Sequence, residues 1–186
     1  MKIAIITDTH FGAKGDSQQF LEYTLKFFDN IFFPTLKERG IVDVLHLGDL
    51  MDRRKYVNFH TLHQMRTRFM DRLESEKINV HCIVGNHDTY FKNTNEVNSP
   101  KELFDEKYPN FHIYTEPVVV GLGNKNFALV PWINKENQDE ILQWIHQVNA
   151  PILCGHFELD GFQVMRNVKH SGGLDSRFCD RFDRVW

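Results

Sequence analysis

Four short apolar runs in this chain each end in Asp, Asn or His, and this repeated pattern is the strongest constraint on its fold. The polar residues that follow the runs read, in chain order, "DTH", "GD", "GNHD" and "GH". Apolar runs of this length, bounded by turn residues, are typical of buried strands. The four runs lie at Lys2 to Thr7, Asp43 to Leu47, Asn79 to Val84 and Pro151 to Cys154.

The segments between these strands have helical periodicity. Helices are predicted over Ser17 to Arg39, with a kink or break at Pro34, over Asn58 to Glu76 and over Asn134 to Val148. The resulting β-α-β-α-β order favours parallel strands with right-handed crossovers. The letters "GLGNKN" between two apolar runs indicate a hairpin, and therefore a second sheet with antiparallel character. The sequence predicts an α/β fold.

Size and composition fit a single domain. The chain has 186 residues, 41% of them apolar, and a net charge of −3 that neither indicates nor excludes a nucleic-acid partner. Three cysteines without a CxxC pair argue against a disulfide framework and favour a reducing, cytoplasmic location. The apolar run Ile3 to Ile6 is too short for a signal peptide or a membrane span, so no membrane association is expected.

The polar residues at the strand ends are expected to converge. In open α/β sheets, the carboxyl ends of the strands line the ligand crevice. The residues expected in that crevice are Asp8, His10, Asp49, Asn86, His87 and His156.

The residue types in this set suit metal binding. Carboxylates, imidazoles and an amide oxygen are ligands for Mn²⁺, Fe or Zn²⁺. Carboxylates clustered in a crevice would repel one another, and divalent cations remove that cost. Asp49 is the natural candidate to bridge two cations, which at about 3.5–4 Å apart can hold a phosphate between them. Each motif alone could be an ordinary turn, and the ordered set of four is what indicates a metal site.

A basic triplet and two tyrosines lie beside these motifs. Arg53, Arg54 and Lys55 directly follow the second strand-end loop. They suit contact with a phosphodiester backbone, or they form a solvated loop, and the sequence leaves both readings open. Tyr56 and Tyr90 flank the same region and could stack on an unpaired base. Arg53, Arg54, Lys55 and Tyr90 are therefore candidate DNA contacts.

The motifs "DTH", "GDLMD", "GNHD" and "GH", in this order, resemble those of the calcineurin-like metallophosphoesterases over essentially the whole chain. The resemblance implies a four-layer α/β fold, in which two mixed sheets pack face to face with helices outside. The longer stretches "GDLMDRRKYVNFHTL" and "GHFELDGF" are most similar to the nuclease subunit of double-strand-break processing complexes, the group that contains bacterial SbcD. Within it they look most like the recombination endonuclease subunit of tailed phages.

The same resemblance implies roles for individual residues. Asp8 and His10 would hold one metal and Asn86 and His156 the other, with Asp49 bridging. His87 would be the catalytic histidine, which contacts the phosphate or protonates the leaving oxygen. Asp88 would orient His87, and Asp52 would brace His10 or its loop. Two Mn²⁺ ions, a homodimer and an ATPase partner of the structural-maintenance type are implied as well.

The chain departs from the family pattern near its end. The final Gly-His-x-His motif does not occur, and the segment around His170 is interpreted as a loop. Arg181 to Trp186 is predicted to begin a further strand. We therefore expect residues 1–186 to be a nuclease domain truncated before that motif, without a second domain, which could bind metal weakly or lack activity.

The hypothesis from the sequence is a metal-dependent DNA phosphodiesterase, an exonuclease or endonuclease subunit that acts in recombination and double-strand-break repair. Two alternatives stay open. One is a metallophosphoesterase that acts on small phosphodiesters or phosphoproteins. The other is a catalytically incomplete binding module.

Overall fold

The structure, a computed structural model, describes residues 2–165, 168–169 and 171–186. His170, interpreted above as part of a loop, lies outside the described residues. The strands are β1 (Ala4–Ile6), β2 (Asp43–His46), β3 (Asn79–Ile83), β4 (Phe111–Tyr114), β5 (Val118–Leu122), β6 (Lys125–Val130), β7 (Ile152–Gly155), β8 (Gln163–Met165), β9 (Val168–Lys169) and β10 (Arg184–Val185). The α-helices are α1 (Ala13–Asp16), α2 (Gln18–Phe27), α3 (Phe33–Arg39), α4 (Phe59–Met65), α5 (Asp71–Ser75), α6 (Ser99–Phe104) and α7 (Gln138–Gln147).

The first sheet has the order β1-β2-β3-β4 and is parallel throughout. The expectation of two mixed sheets is therefore corrected for this one. Strand β4 lies outside the predicted elements, because a run of four residues has too little periodicity to identify a strand. Its pairing with β3, from Val80 opposite Phe111 to Ile83 opposite Tyr114, is a tertiary contact.

The second sheet has the order β10-β7-β6-β5 and is mixed. Strands β5 and β6 form the expected antiparallel hairpin, while β6, β7 and β10 are parallel. The strand predicted within Arg181 to Trp186 is confirmed as β10. Strands β8 and β9 form a separate antiparallel pair.

The two long predicted helices are each divided by a π-helical segment. The first consists of α2, the segment Phe28–Phe32 and α3, and Pro34 lies in the first turn of α3. Proline cannot donate the backbone hydrogen bond of a helix interior, and a wider π turn just before it accommodates that loss. The second consists of α4, the segment Arg66–Met70 and α5, and Asn58 caps its start.

Three apolar clusters establish four layers. One cluster packs helices α2 to α5 on the outer face of the first sheet, with Phe28, Phe33 and Phe69 in contact at its centre. The middle cluster joins the facing sides of the two sheets, for example Leu45 with Leu129. The third packs α7 on the outer face of the second sheet. Burial of these apolar faces drives the stacking of the layers, which brings the carboxyl ends of both sheets to one side.

The cysteines and the helices bear on the expectations of free thiols and of no membrane span. Cys82, Cys154 and Cys179 are free thiols, the first two of them buried. Across the described part of the chain, no helix combines the length and apolar character needed to cross a membrane.

Candidate metal centre

The loops that follow β1 and β2 are joined by backbone hydrogen bonds. The N–H of Asp8 donates to the carbonyl oxygen of Gly48 at 3.1 Å, and the N–H of His10 donates to that of Asp49 at 3.0 Å. His156 comes from the end of β7 in the other sheet, and its Nδ1 lies 2.8 Å from the carbonyl oxygen of Leu47. The site is therefore built where the carboxyl edges of the two sheets meet, as expected from the parallel topology.

Three of the expected ligands have a left-handed backbone. The φ angles are 53° at Asp8, 41° at His10 and 55° at Asp49. Residues with a Cβ rarely adopt this region, and such conformations are concentrated at functional sites. The loop after β2, which carries Asp49, packs closely against Gly85 on the loop after β3. A Cβ at Gly85 would lie 2.3 Å from the amide nitrogen of Asp49, so only glycine leaves enough space there.

Asp49 lies at the centre of the cluster and is only 3% exposed. Its Oδ2 atom is 3.5 Å from Nε2 of His10 and 3.5 Å from Nε2 of His156. Its Oδ1 atom accepts a hydrogen bond of 2.8 Å from the backbone N–H of His87. One oxygen is thus held by a backbone N–H group, while the other lies close to two imidazole nitrogens.

Two groups of donor atoms are compact enough to hold metal ions, and they share Asp49. One group is His10, Asp49 and His87, and the other is Asp8, Asp49 and His156. Within each group the donor atoms lie within 4.8 Å of one another. The shared carboxylate agrees with the bridging position expected for Asp49. The grouping differs in placing His87 among the possible ligands and in pairing Asp8 with His156 rather than with His10.

The hydrogen-bond chemistry of His156 fits a cation. Its Nδ1 faces the carbonyl oxygen of Leu47, which can only accept, so Nδ1 carries the proton. In the neutral ring, Nε2 then has a lone pair, and it faces Oδ1 of Asn86 at 2.8 Å and the carboxylate of Asp49. This arrangement of Nε2, the amide oxygen and the carboxylate oxygen requires either a proton on Nε2 or a cation among the three atoms. The residues of this group therefore fit a divalent metal.

Asp8 and His10 form the other charged pair of the site. Their closest atoms, Oδ1 and Nε2, are 3.5 Å apart. His10 holds the pKa of Asp8 at about 2, and Asp8 in turn raises the pKa of His10. On the other side of the ring, Nδ1 of His10 is 3.4 Å from the carboxylate of Asp52. The Asp52 carboxylate is therefore within ion-pair distance of His10, but the two make no hydrogen bond.

The expected contact between Asp88 and His87 is replaced by another arrangement. The two carboxylate oxygens of Asp88, which is fully buried, accept the backbone N–H groups of Met51 and Gly85 at 3.0 and 2.9 Å. The ring of His87 is held instead by the backbone of Asp52, whose carbonyl oxygen lies 2.8 Å from Nδ1. Burial raises the pKa of Asp88 to about 6. Asp88 thus joins the loops after β2 and β3.

The candidate DNA contacts lie on the loops that carry this centre. They differ in how far their side chains are already engaged by other residues of the protein. The guanidinium of Arg54 binds Oγ1 of Thr89 at 2.8 Å and lies over the ring of Trp132, so it is committed within the protein. Arg53 pairs with Asp16 at 3.4 Å. Lys55 is exposed, and its ammonium lies 5.4 Å from the ring centre of Tyr90.

Two features of the site were missed from the sequence. One is the carbonyl oxygen of Asp52, since no sequence pattern reports which backbone atom a ring will contact. The other is Thr9, whose hydroxyl contacts Nε2 of the buried His46 at 3.0 Å and so anchors the first loop. The position of Thr9 between two candidate ligands was the only available signal.

Comparisons with known proteins identify the family to which this sequence is related. A sequence profile of the calcineurin-like phosphoesterase family matches residues 1–182. The chain is 33% identical over 197 aligned positions to exonuclease subunit 1 of Enterobacteria phage T4. That alignment covers 100% of this chain and 54% of the phage protein, so the chain spans about half the length of this relative.

Solved structures superpose on the chain only in part. A protein of unknown function from Aquifex aeolicus has a TM-score of 0.48 at 15% identity, over 98% of this chain and 87% of that one. An archaeal phosphodiesterase has a TM-score of 0.44 at 16% identity, over 90% and 78%. The nuclease MPE of Pseudomonas putida has a TM-score of 0.42 at 18% identity, over 90% and 66%.

Proposed function

The chain belongs to the calcineurin-like phosphoesterase family, and on that premise we propose that it is a metal-dependent DNA phosphodiesterase, the nuclease subunit of a complex that acts in recombination and double-strand-break repair. The observation that carries the proposal is the position of Asp49. Its Oδ2 atom is 3.5 Å from the Nε2 atoms of both His10 and His156, which are supplied by different sheets. A carboxylate placed in this way can serve two cations at once.

We propose that the residues of the site divide the cleavage of a phosphodiester between cation binding and proton transfer. Two divalent cations, when bound, would acidify a water molecule and neutralise charge on the phosphate oxygens. We propose that Asp8, His10, Asn86 and His156 hold these cations on either side of Asp49. The Nδ1 atom of His87 contacts the backbone carbonyl oxygen of Asp52. We propose that this contact, rather than a bound metal, orients the ring.

His87 is proposed to contact the phosphate and to protonate the leaving group. Its Nδ1 is occupied by the carbonyl oxygen of Asp52, so Nε2 is the nitrogen that can face substrate. In the charged ring, Nε2 carries a proton that can pass to the departing sugar oxygen while Nδ1 keeps its hydrogen bond. Proton transfer by a positioned side chain typically contributes about 10²–10⁴-fold to a rate.

DNA as substrate is supported by one relative and by local charge. The phage relative is named as an exonuclease subunit, and the exposed Lys55 lies on the same loop as Asp49 of the metal centre. Arg53 and Arg54 add positive charge to the same loop. Lysine and arginine beside a metal centre favour a polyanionic backbone over a neutral substrate.

The metal, the partners and the compartment are proposed on the same basis. Carboxylate and amide oxygens together with imidazoles suit Mn²⁺. The name of the phage relative implies a multi-subunit enzyme, and we propose an ATPase of the structural-maintenance type as the other subunit, in the cytoplasm of the host cell. A homodimer is supported by Phe20, Phe27 and Ile31, which are exposed at spacings of seven and four residues along one helical face.

A calorimetric Mn²⁺ titration combined with a DNA cleavage assay tests the proposal. We expect about two ions per chain and Mn²⁺-dependent cleavage of linear DNA. Asp49→Asn should weaken both ion sites together and abolish cleavage. Asp43→Asn is the control, because Asp43 begins strand β2 whereas Asp49 follows its end. This variant should change neither Mn²⁺ binding nor DNA cleavage.

Three results would count against the proposal. Loss of only one ion site in Asp49→Asn would remove the bridging role. Hydrolysis of small phosphodiesters without DNA cleavage would favour the alternative enzyme. Absence of Mn²⁺ binding would favour a binding module.

A further inference from the structure

A small cavity lies between the segments that follow Asp49 and His87, and the basic triplet forms part of its wall. Its volume is about 180 Å³, and its wall is mostly apolar. This is below the roughly 300–1,000 Å³ of pockets for drug-sized ligands and suits a single planar ring system. The lining residues that matter here are Arg53, Lys55, Tyr56, Tyr90, Ser99 and Glu102.

The cavity is built from the same two loops as the metal centre. Asp52 contacts His10 and His87, and Tyr56 follows it by four residues, so their Cα atoms are at most about 14 Å apart. On the other loop, Tyr90 follows His87 by three residues, a separation of at most about 11 Å. The cavity and the metal centre are therefore formed by neighbouring parts of the same two loops.

Two tyrosine rings line the cavity, and each has a cation over one face. The guanidinium of Arg53 lies 5.0 Å from the ring centre of Tyr56, and the ammonium of Lys55 lies 5.4 Å from that of Tyr90. Tyr56 is 66% exposed and Tyr90 is 39% exposed, so neither ring is a core residue. An exposed aromatic ring next to a cation is the arrangement that stacks on bases and holds the backbone charge.

The wall formed by Ser99 is joined to the metal-centre loop through its backbone. The hydroxyl oxygen of Ser99 is buried and, among the described residues, makes no hydrogen bond. The N–H of the same residue donates to the carbonyl oxygen of Asp88 at 2.8 Å, which ties this wall to the metal-centre loop. Glu102 adds an acceptor in the same wall.

We propose that this cavity holds one unpaired nucleobase of the strand being cut, next to the scissile phosphate, between Tyr56 and Tyr90. The proposal rests on the proposed function and specifies its substrate, because a base can enter only when it has left the duplex stack. The substrate class is therefore single-stranded DNA or a frayed duplex end. Arg53 is paired with Asp16, so Arg54 and Lys55 are the basic residues that outweigh Glu102, and the two tyrosine faces favour a planar base over an aliphatic side chain.

The test compares three phosphodiesters that differ in their bases. They are a thymidine dinucleotide, the same compound with both bases removed, and bis(p-nitrophenyl) phosphate, which measures the metal centre without any base. We expect kcat/KM of the wild type to be at least ~10-fold higher for the dinucleotide than for its base-free analogue, in line with base–aromatic stacking. Tyr56→Leu and Tyr90→Leu should each reduce that ratio towards one.

Tyr23→Leu is the matched control, because Tyr23 is also exposed and has Lys26 over its ring at 5.9 Å. Tyr23 lies on α2, outside the cavity. The Tyr23→Leu variant should therefore have the same ratio of kcat/KM between the dinucleotide and its base-free analogue as the wild type. Circular dichroism melting curves that coincide with the wild type would establish that the leucine variants are folded. A ratio near one in the wild type overturns the proposal. So does a high ratio that survives in both cavity variants, or an equal loss in Tyr23→Leu.

Failure of the proposed function has a different result. If bis(p-nitrophenyl) phosphate and both dinucleotides are left intact, the phosphodiesterase assignment fails, and the cavity is then judged by equilibrium binding. The probe is an oligonucleotide that contains a fluorescent purine analogue. Quenching on binding that is lost in Tyr90→Leu would sustain the base site, and absence of quenching would overturn it.

Discussion

The Nδ1 atom of His87 lies 2.8 Å from the backbone carbonyl oxygen of Asp52. The loop after β2 therefore determines the orientation of a ring that belongs to the loop after β3. The same aspartate directs its side chain to His10, at 3.4 Å from Nδ1 of that ring. One residue thus places two histidines, one through its backbone and one through its carboxylate.

The role of His87 is tested by His87→Ala. Because its ring is held by backbone, its removal should leave the other donors in place and lower phosphodiester hydrolysis by about 10² or more. Calorimetry should still detect two Mn²⁺ ions. His63→Ala, an exposed histidine on α4, is the control. Loss of one ion in His87→Ala would make His87 a ligand, as its grouping with His10 and Asp49 allows.

The close packing of the two central loops is tested by Gly85→Ala. An added Cβ would lie 2.3 Å from both the amide nitrogen and the Oδ1 atom of Asp49, so Asp49 must shift. We expect weaker binding of both Mn²⁺ ions and a lower free energy of unfolding. The matched control is Gly121→Ala, where the nearest atom would be 3.7 Å away. Wild-type Mn²⁺ affinity in Gly85→Ala would contradict this account of the loop packing.

A structural role for Asp88 predicts that Asp88→Asn lowers stability. The amide cannot accept from both Met51 and Gly85, so one buried N–H is left unpaired, at a cost of about 1–3 kcal/mol. Urea unfolding in the presence of a chelator measures this, with the exposed Asp105→Asn as control. Unchanged stability with reduced hydrolysis would restore the direct action on His87 that the sequence suggested.

The buried His46 predicts a loss of stability in acid. Burial lowers its pKa from 6.5 to about 3, with Asp8 opposing the shift and His10 and His156 adding to it. Below pH 6.5, His46 therefore binds a proton in the unfolded chain but stays neutral in the folded chain. Stability is fully present above pH 6.5 and is lost as the pH falls towards 3, by on the order of 5 kcal/mol at about 1.4 kcal/mol per pKa unit.

His46→Gln should remove this contribution, since glutamine can still accept from Thr9 but does not titrate. Urea unfolding of both proteins in a chelator, at a series of pH values below 6.5, isolates the difference. The wild type should lose stability more steeply than the variant. Parallel curves would mean that His46 is protonated in the folded protein.

Much of the fold and most of the candidate site could be predicted from the sequence. Short apolar runs that end in polar residues report buried strands and their carboxyl ends, and parallel strands share those ends for geometric reasons. Asp8, Asp49 and His156 were therefore expected together although they are far apart in the chain, and the structure brings them together. A resemblance in four ordered motifs then indicated the family, which the comparisons confirmed.

Only the tertiary structure decided the finer contacts. The four-residue strand β4 is too short to show the alternation of apolar and polar residues that identifies a strand. It is defined by its parallel pairing with the edge of β3. Asp88 lies beside His87 in sequence, yet its carboxylate turns to the N–H groups of Met51 and Gly85, because a buried carboxylate needs donors on both oxygens. Side-chain types determine which chemistry is available, whereas the direction of each side chain depends on backbone angles and on neighbours from other segments.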